Sequence, residues 1–182
     1  MSFNSKHMKT IQKDTTNEDF RAPTATKKLP RSVADGANGL IIAVAEVSRS
    51  PERVFKALTT NEVEKWWGAS GFYTQKDWRA DLRVCGSWSV NVELGDGTFV
   101  HAEGEFCEID APSKLVMTRR FDKHPFQGTR ETTITYRLAP SENGTFITVR
   151  EEGLIGRMQA AHGNAEHWER VLGWLDAYLS AE

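Results

Sequence analysis

The sequence predicts an α+β fold: a curved antiparallel sheet of about six or seven strands wrapped around one long C-terminal helix, with two short helices after the first strand. Three observations predict it. Between residues 77 and 152 apolar side chains recur with a period of two. Helical patterns lie only before and after that stretch. The segments joining the strands are short turns, so neighbouring strands pair antiparallel.

The elements follow in order. "GLIIAVAEV" (39–47) is a β-branched run bounded by Gly and Ser, and reads as the first strand. "SPERVFKALT" (50–59) reads as a helix, with Ser50 at the N-cap, Pro51 at the first helical position, and Val54, Phe55 and Leu58 on one face. "NEVEKWWG" reads as a second short helix with Asn61 as its cap and Gly68 as its stop. A segment around "DWRADLRV" (77–84) supplies the next strand. In "GSWSVNVEL" (86–94) Trp88, Val90, Val92 and Leu94 share a side, and "GDG" turns the chain into "TFVHAEGEFCEI" (98–109). "KLVMTRRF" (114–121), "TRETTITYRL" (129–138) and "TFITVREE" (145–152) complete the sheet. The last helix starts between 157 and 164, with Trp168, Leu172, Leu175 and Leu179 at helical spacing and charges opposite.

Composition narrows the function. The 182 residues suit one domain, and 39% are apolar, enough for a packed core. No apolar run approaches the ~18 residues of a membrane span. Cys85 and Cys107 have no metal-type spacing, and with no secretory signal they suggest a reduced, cytoplasmic protein. A net charge of −2 argues against nucleic acid as a partner. Residues 1–38 differ from the rest: seven Lys/Arg against four acids, and few apolar side chains, read as a solvated leader without folded structure. The folded domain is then 39–182.

Geometry suggests a hollow interior. Seven strands at about 4.8 Å spacing make a sheet roughly 30 Å wide, whereas one helix with its side chains covers about 10–12 Å. A twisted sheet curls around the helix, the short helices plug the gap, and an apolar space remains. The adjacent tryptophans fit this picture. On a helix, neighbours point about 100° apart, so Trp66 packs beneath its helix while Trp67 looks towards the opening beside Phe72 and Trp78. The candidate cavity residues are Trp66, Trp67, Phe72, Trp78, Trp88, Val90, Met117, Arg119, Ile134, Tyr136, Trp168 and Leu172.

The ordered motifs "SPERVFKALTTNEVEKWWG", "DLRVCGSWSV", "DGTFVHAEGEFCEIDAPSKLVMT", "TTITYRL", "GTFITVREEG" and "HWERVLGWLDAYL" resemble the SRPBCC or START-like helix-grip superfamily. More closely they resemble the branch named for the C-terminal domain of the activator of the ninety-kilodalton heat-shock protein's ATPase. The resemblance covers 39–182 and implies a ligand-binding or chaperone-assisting scaffold. It does not imply one chemistry, because the fold hosts many. The chain departs from the pattern at Cys85-Gly86, where the family often has two glycines, at Arg119, near which it has a tryptophan, and at His167, where it has glycine.

Catalytic and metal motifs are sparse. His162 and His167 stand about 140° apart on a helix and cannot chelate one ion, and His101 and His124 are isolated, so no metal or cofactor is expected. No G-x-S-x-G elbow, P-loop or G-x-G-x-x-G motif occurs. Glu151 continues the inward face of Ile147 and Val149, where apolar walls would make it an acid or base, or where Arg119 would neutralise it. The simpler alternative is a wetted, paired strand end. Tyr136 could orient a ligand or act beside Glu151. The expected function is binding of a small hydrophobic molecule, lipid, aromatic or polyketide-like, with a chaperone as alternative partner and a cyclase or hydrolase as alternative activity. Monomer and dimer both remain open.

Overall fold

A computed structural model describes residues 29–124 and 127–181. One eight-stranded antiparallel sheet, β1(Arg31–Asp35), β2(Leu40–Val47), β3(Tyr73–Ala80), β4(Ser87–Leu94), β5(Phe99–Asp110), β6(Lys114–Phe121), β7(Thr132–Ser141) and β8(Gly144–Glu152), is joined by α1(Pro51–Thr59), α2(Val63–Trp66) and α3(Met158–Ser180). The spatial order is β1-β2-β8-β7-β6-β5-β4-β3, with every neighbouring pair antiparallel. The architecture is the expected α+β arrangement of a curved sheet and a long C-terminal helix.

The strand count exceeds the expected six or seven, and the added strand lies in the segment assigned above to the leader. Residues 1–28 of that leader lie outside the described residues, whereas Arg31–Asp35 pair with β2 and start the sheet one strand early. β1 is an edge strand whose side chains alternate between exposed and half-buried, so it carries no apolar stripe to betray it. It is held by side-chain chemistry instead: Glu169 of α3 accepts from the Ser32 amide at 2.7 Å and from its hydroxyl at 3.0 Å. Gly39, at φ +63°, closes the β1–β2 turn against the 154–155 backbone, where an added Cβ would lie 2.1 Å from the Ile155 nitrogen.

Two further boundaries move. The strand expected at 77–84 runs instead over Tyr73–Ala80, with a bulge between Lys76 and Arg79. The second short helix is capped at Glu62 without a side-chain hydrogen bond, so Asn61 is not its cap. The first helix matches expectation: the Ser50 hydroxyl accepts from the Arg53 amide at 3.4 Å, with Pro51 at the helix start.

Bulges bend the sheet. Besides the irregularity in β3, β5 shifts register between Phe106 and Glu108, and each extra residue increases local twist. Gly104 of β5 lets the indole of Trp88 cross the sheet; a Cβ there would meet the Thr118 carbonyl oxygen at 2.0 Å and the Trp88 Nε1 at 2.7 Å. Trp88 Nε1 donates to that same carbonyl at 3.0 Å.

α3 does not lie over the middle of the curl. It packs on β1 and β2, where Ala43 and Ala45 keep the sheet surface low and Ile41 and Val47 flank them, all buried. Ala161, Ala165, Trp168, Leu172, Leu175 and Leu179 of the helix are buried too. The strands from β3 to β7 are left facing the other flank of α3 across open space.

Candidate functional site

That space is a cavity of about 380 Å³, within the roughly 300–1,000 Å³ range of small-molecule sites. Its apolar walls come from alternate positions of the sheet: Trp88, Val90, Val92 and Leu94 on β4, Val100 and Ala102 on β5, Met117 on β6, Ile134 and Tyr136 on β7. Trp67, Phe72 and Tyr73 line it too, and Phe72 and Tyr73 meet the α3 wall of Ala160, Gly163, Asn164, His167 and Trp174 at ring contacts with Trp174. Phe72, Glu166 and Arg170 line it while standing exposed, so they mark its rim.

The tryptophan pair divides at the end of α2, where Trp67 leaves helical geometry at φ −86°, ψ 87°. Trp66 is 2% exposed and donates Nε1 to the Ala57 carbonyl at 3.0 Å, so it belongs to the core and not to the cavity. Trp67 lines the cavity and packs edge-on to Trp168, with ring centroids 5.5 Å apart. Trp78 and Trp88 stack at 5.5 Å on the opposite wall.

Of the residues singled out from the sequence, Trp67, Phe72, Trp78, Trp88, Val90, Met117, Arg119, Ile134 and Tyr136 line this space. Trp66, Trp168 and Leu172 do not. The last two lie on the stripe of α3 that faces the packed side of the sheet, and Trp168 is 1% exposed. Trp168 forms a partition, its ring at 5.9 Å from Tyr136.

Glu151 is fully buried, not wetted at a strand end. Arg119 Nη2 donates to its Oε1 at 2.5 Å, Asn164 Nδ2 reaches the same oxygen at 3.4 Å, and Trp168 Nε1 donates to Oε2 at 2.7 Å. Asn164 also donates to Gln127 Oε1 at 3.2 Å, and Gln127 Nε2 to the Arg130 carbonyl at 2.9 Å. The carboxylate therefore knots β6, β8 and α3 together at one end of the cavity. A buried carboxylate leaves few lone pairs unsatisfied when so many donors converge on it.

Several polar groups of the site were not read from the sequence. His167 Nε2 lies 3.0 Å from the Tyr73 hydroxyl. Burial, reinforced by the positive charges of Arg119 and Arg170, holds the His167 imidazole down to about 3. Burial and Arg119 likewise lower His124, while burial raises the hydroxyls of Tyr73 and Tyr136. At neutral pH both rings are neutral and both phenols protonated. Gln75, from β3, adds a buried amide to the lining. The signal for the α3 contributors was Asn164, His167, Arg170 and Trp174, a second stripe at helical spacing beside the apolar one.

Among the described residues no group of three or more His, Cys, Asp or Glu is placed to hold a metal ion, and no helix is long and apolar enough to cross a membrane.

Solved structures share the fold. A protein from Arthrobacter aurescens is 23% identical, with a TM-score of 0.70 over 83% of this chain and 91% of its own. One from Rhodobacter sphaeroides is 20% identical, with a TM-score of 0.70 over 84% and 98%. An AHSA1-like protein from Aeromonas hydrophila is 21% identical, with a TM-score of 0.62 over 78% and 92%. A comparison with curated proteins found no match. Residues 48–180 match the family described as Activator of Hsp90 ATPase homolog 1-like protein, and the chain belongs to that family.

Proposed function

We propose that the chain binds a small, mostly apolar molecule inside the cavity between β3–β7 and α3. One observation carries this reading: a concave space of about 380 Å³ whose walls are mostly aromatic and aliphatic, with a few polar groups among them. Burial of apolar ligand surface at about 25 cal/mol per Å² is ample for micromolar affinity after association costs. Two further grooves among the described residues are lined mainly by polar and charged side chains of the sheet, Arg79, Asp81 and Glu105 in one, Glu108, Lys114 and Arg137 in the other. They offer no comparable apolar enclosure.

Native mass spectrometry of the protein purified from its own host tests the proposal. A bound small molecule, released on denaturation and displaced by an aromatic competitor, supports it. Protein that arrives empty and binds no apolar probe contradicts it. The family's description favours a second reading, activation of a heat-shock protein's ATPase. A rise in that ATPase rate on titration would support it, and an unchanged rate would dismiss it.

A further inference from the structure

We infer that the molecule taken by the cavity is electrically neutral and carries a carbonyl-class hydrogen-bond acceptor on an aromatic body. This deepens the binding reading above and rests on it. Two cavity-lining side chains hold buried polar atoms without a partner, and a third brings a phenol to the same lining. Tyr136 is 2% exposed and lines the cavity, and burial keeps its hydroxyl protonated as a donor. Arg119 is 7% exposed and bonds through Nη2, while its Nε is buried without a partner. Gln75 is 8% exposed, and its Oε1 is buried without a partner. Bare buried groups are costly, and native proteins leave few of them. The first two donate and the third accepts, so a ligand that completes them presents an acceptor at one end and a hydroxyl or N–H at the other.

Charge decides which acceptor. Arg119 already faces the fully buried Glu151 at 2.5 Å. A ligand carboxylate would share that one guanidinium with a second anion in a dry site, where like charges disfavour each other. A carbonyl oxygen takes the same hydrogens and adds no charge. The walls suit a flat body: Trp67 stands edge-on to Trp168, and Trp78 is stacked on Trp88, which leaves ring edges and faces for an aromatic guest.

Calorimetric titration of the full chain with three probes of one shape tests this: naphthalene, methyl naphthyl ketone and naphthoate. The ketone should bind about tenfold more tightly than naphthalene, the worth of one good hydrogen bond, and more tightly than naphthoate. Tyr136→Phe should bring the ketone down towards naphthalene while naphthalene is unaffected. Glu151→Gln, checked for a native near-ultraviolet spectrum, should release Arg119 and turn the preference towards naphthoate. If naphthalene binds and the ketone binds no better, the cavity reading stands and this inference falls. If naphthoate is preferred by the unmodified protein, the charge argument is wrong. Unchanged ketone affinity in Tyr136→Phe removes the anchor assignment. If none of the three binds, the binding reading fails and takes this one with it.

Discussion

The two halves of the sheet are built from similar residues and end in opposite states. On the side of β1 and β2, the surface of Ile41, Ala43, Ala45 and Val47 is covered by α3 and is at most 1% exposed. On the side of β3 to β6, Val90, Val92, Val100, Ala102 and Met117 face a void. Apolar composition does not distinguish them. What differs is coverage: one helix of about 10–12 Å width lies on one half only, and the aromatic side chains of the short α2 region fence the remainder without filling it. Where a sheet is wider than the layer that covers it, the uncovered part becomes a site.

The largest expected effect is a stability contrast. Leu175→Ala, on the covered half and fully buried, should cost about 3–5 kcal/mol, because a tight core cannot collapse onto the lost volume. Val92→Ala, which lines the void and is 9% exposed, should cost only about 1 kcal/mol. Urea titration of both variants measures the difference. Equal losses would mean the halves are packed alike.

Enlarging side chains should reverse the contrast. Ala43→Leu inserts volume beneath α3 and should cost about 1–3 kcal/mol by overpacking. Ala102→Leu projects into the cavity, so its cost should stay under about 1 kcal/mol while affinity for an apolar probe is lost. If Ala102→Leu is the more damaging of the two, the space is not available to a guest.

A smaller effect follows from His167, which lies on the cavity flank of α3. Its folded value of about 3 is below the ordinary 6.5, so the unfolded chain binds a proton that the folded one refuses. The ring's contribution is complete above pH 6.5 and is lost as pH falls from there towards 3, at up to about 1.4 kcal/mol per pH unit for one proton. His167→Gln should flatten the stability profile over that window. A profile that keeps its slope would place the acid sensitivity elsewhere.

The sequence was most legible where one face of an element is apolar and the other wet. Lys114–Phe121 on β6 and Ser87–Leu94 on β4 alternate cleanly, and the period of two located both strands. β1 escaped because its side chains alternate only between exposed and half-buried and its inward positions carry no apolar period; its tether is Glu169, 137 residues away from Ser32. The site was legible on the sheet and misread on the helix. A strand has two faces, so naming Val90 or Ile134 as inward settles its neighbours. A helix turns through many faces, and spacing alone does not say which stripe meets core and which meets cavity. Trp168 and Leu172 were therefore placed in the cavity, whereas His167 and Trp174, on the adjoining stripe, form its wall. Gln75 and Tyr73 were missed with the misplaced start of β3.

The contrast between the halves can be observed in one spectrum. With methyl groups labelled, titration of the full chain with naphthalene should shift the resonances of Met117, Val90 and Ile134 and leave those of Ile41, Ile147 and Leu175 in place. Perturbation of the second group, or of neither, would contradict the claim that one helix leaves half of this sheet open to a guest.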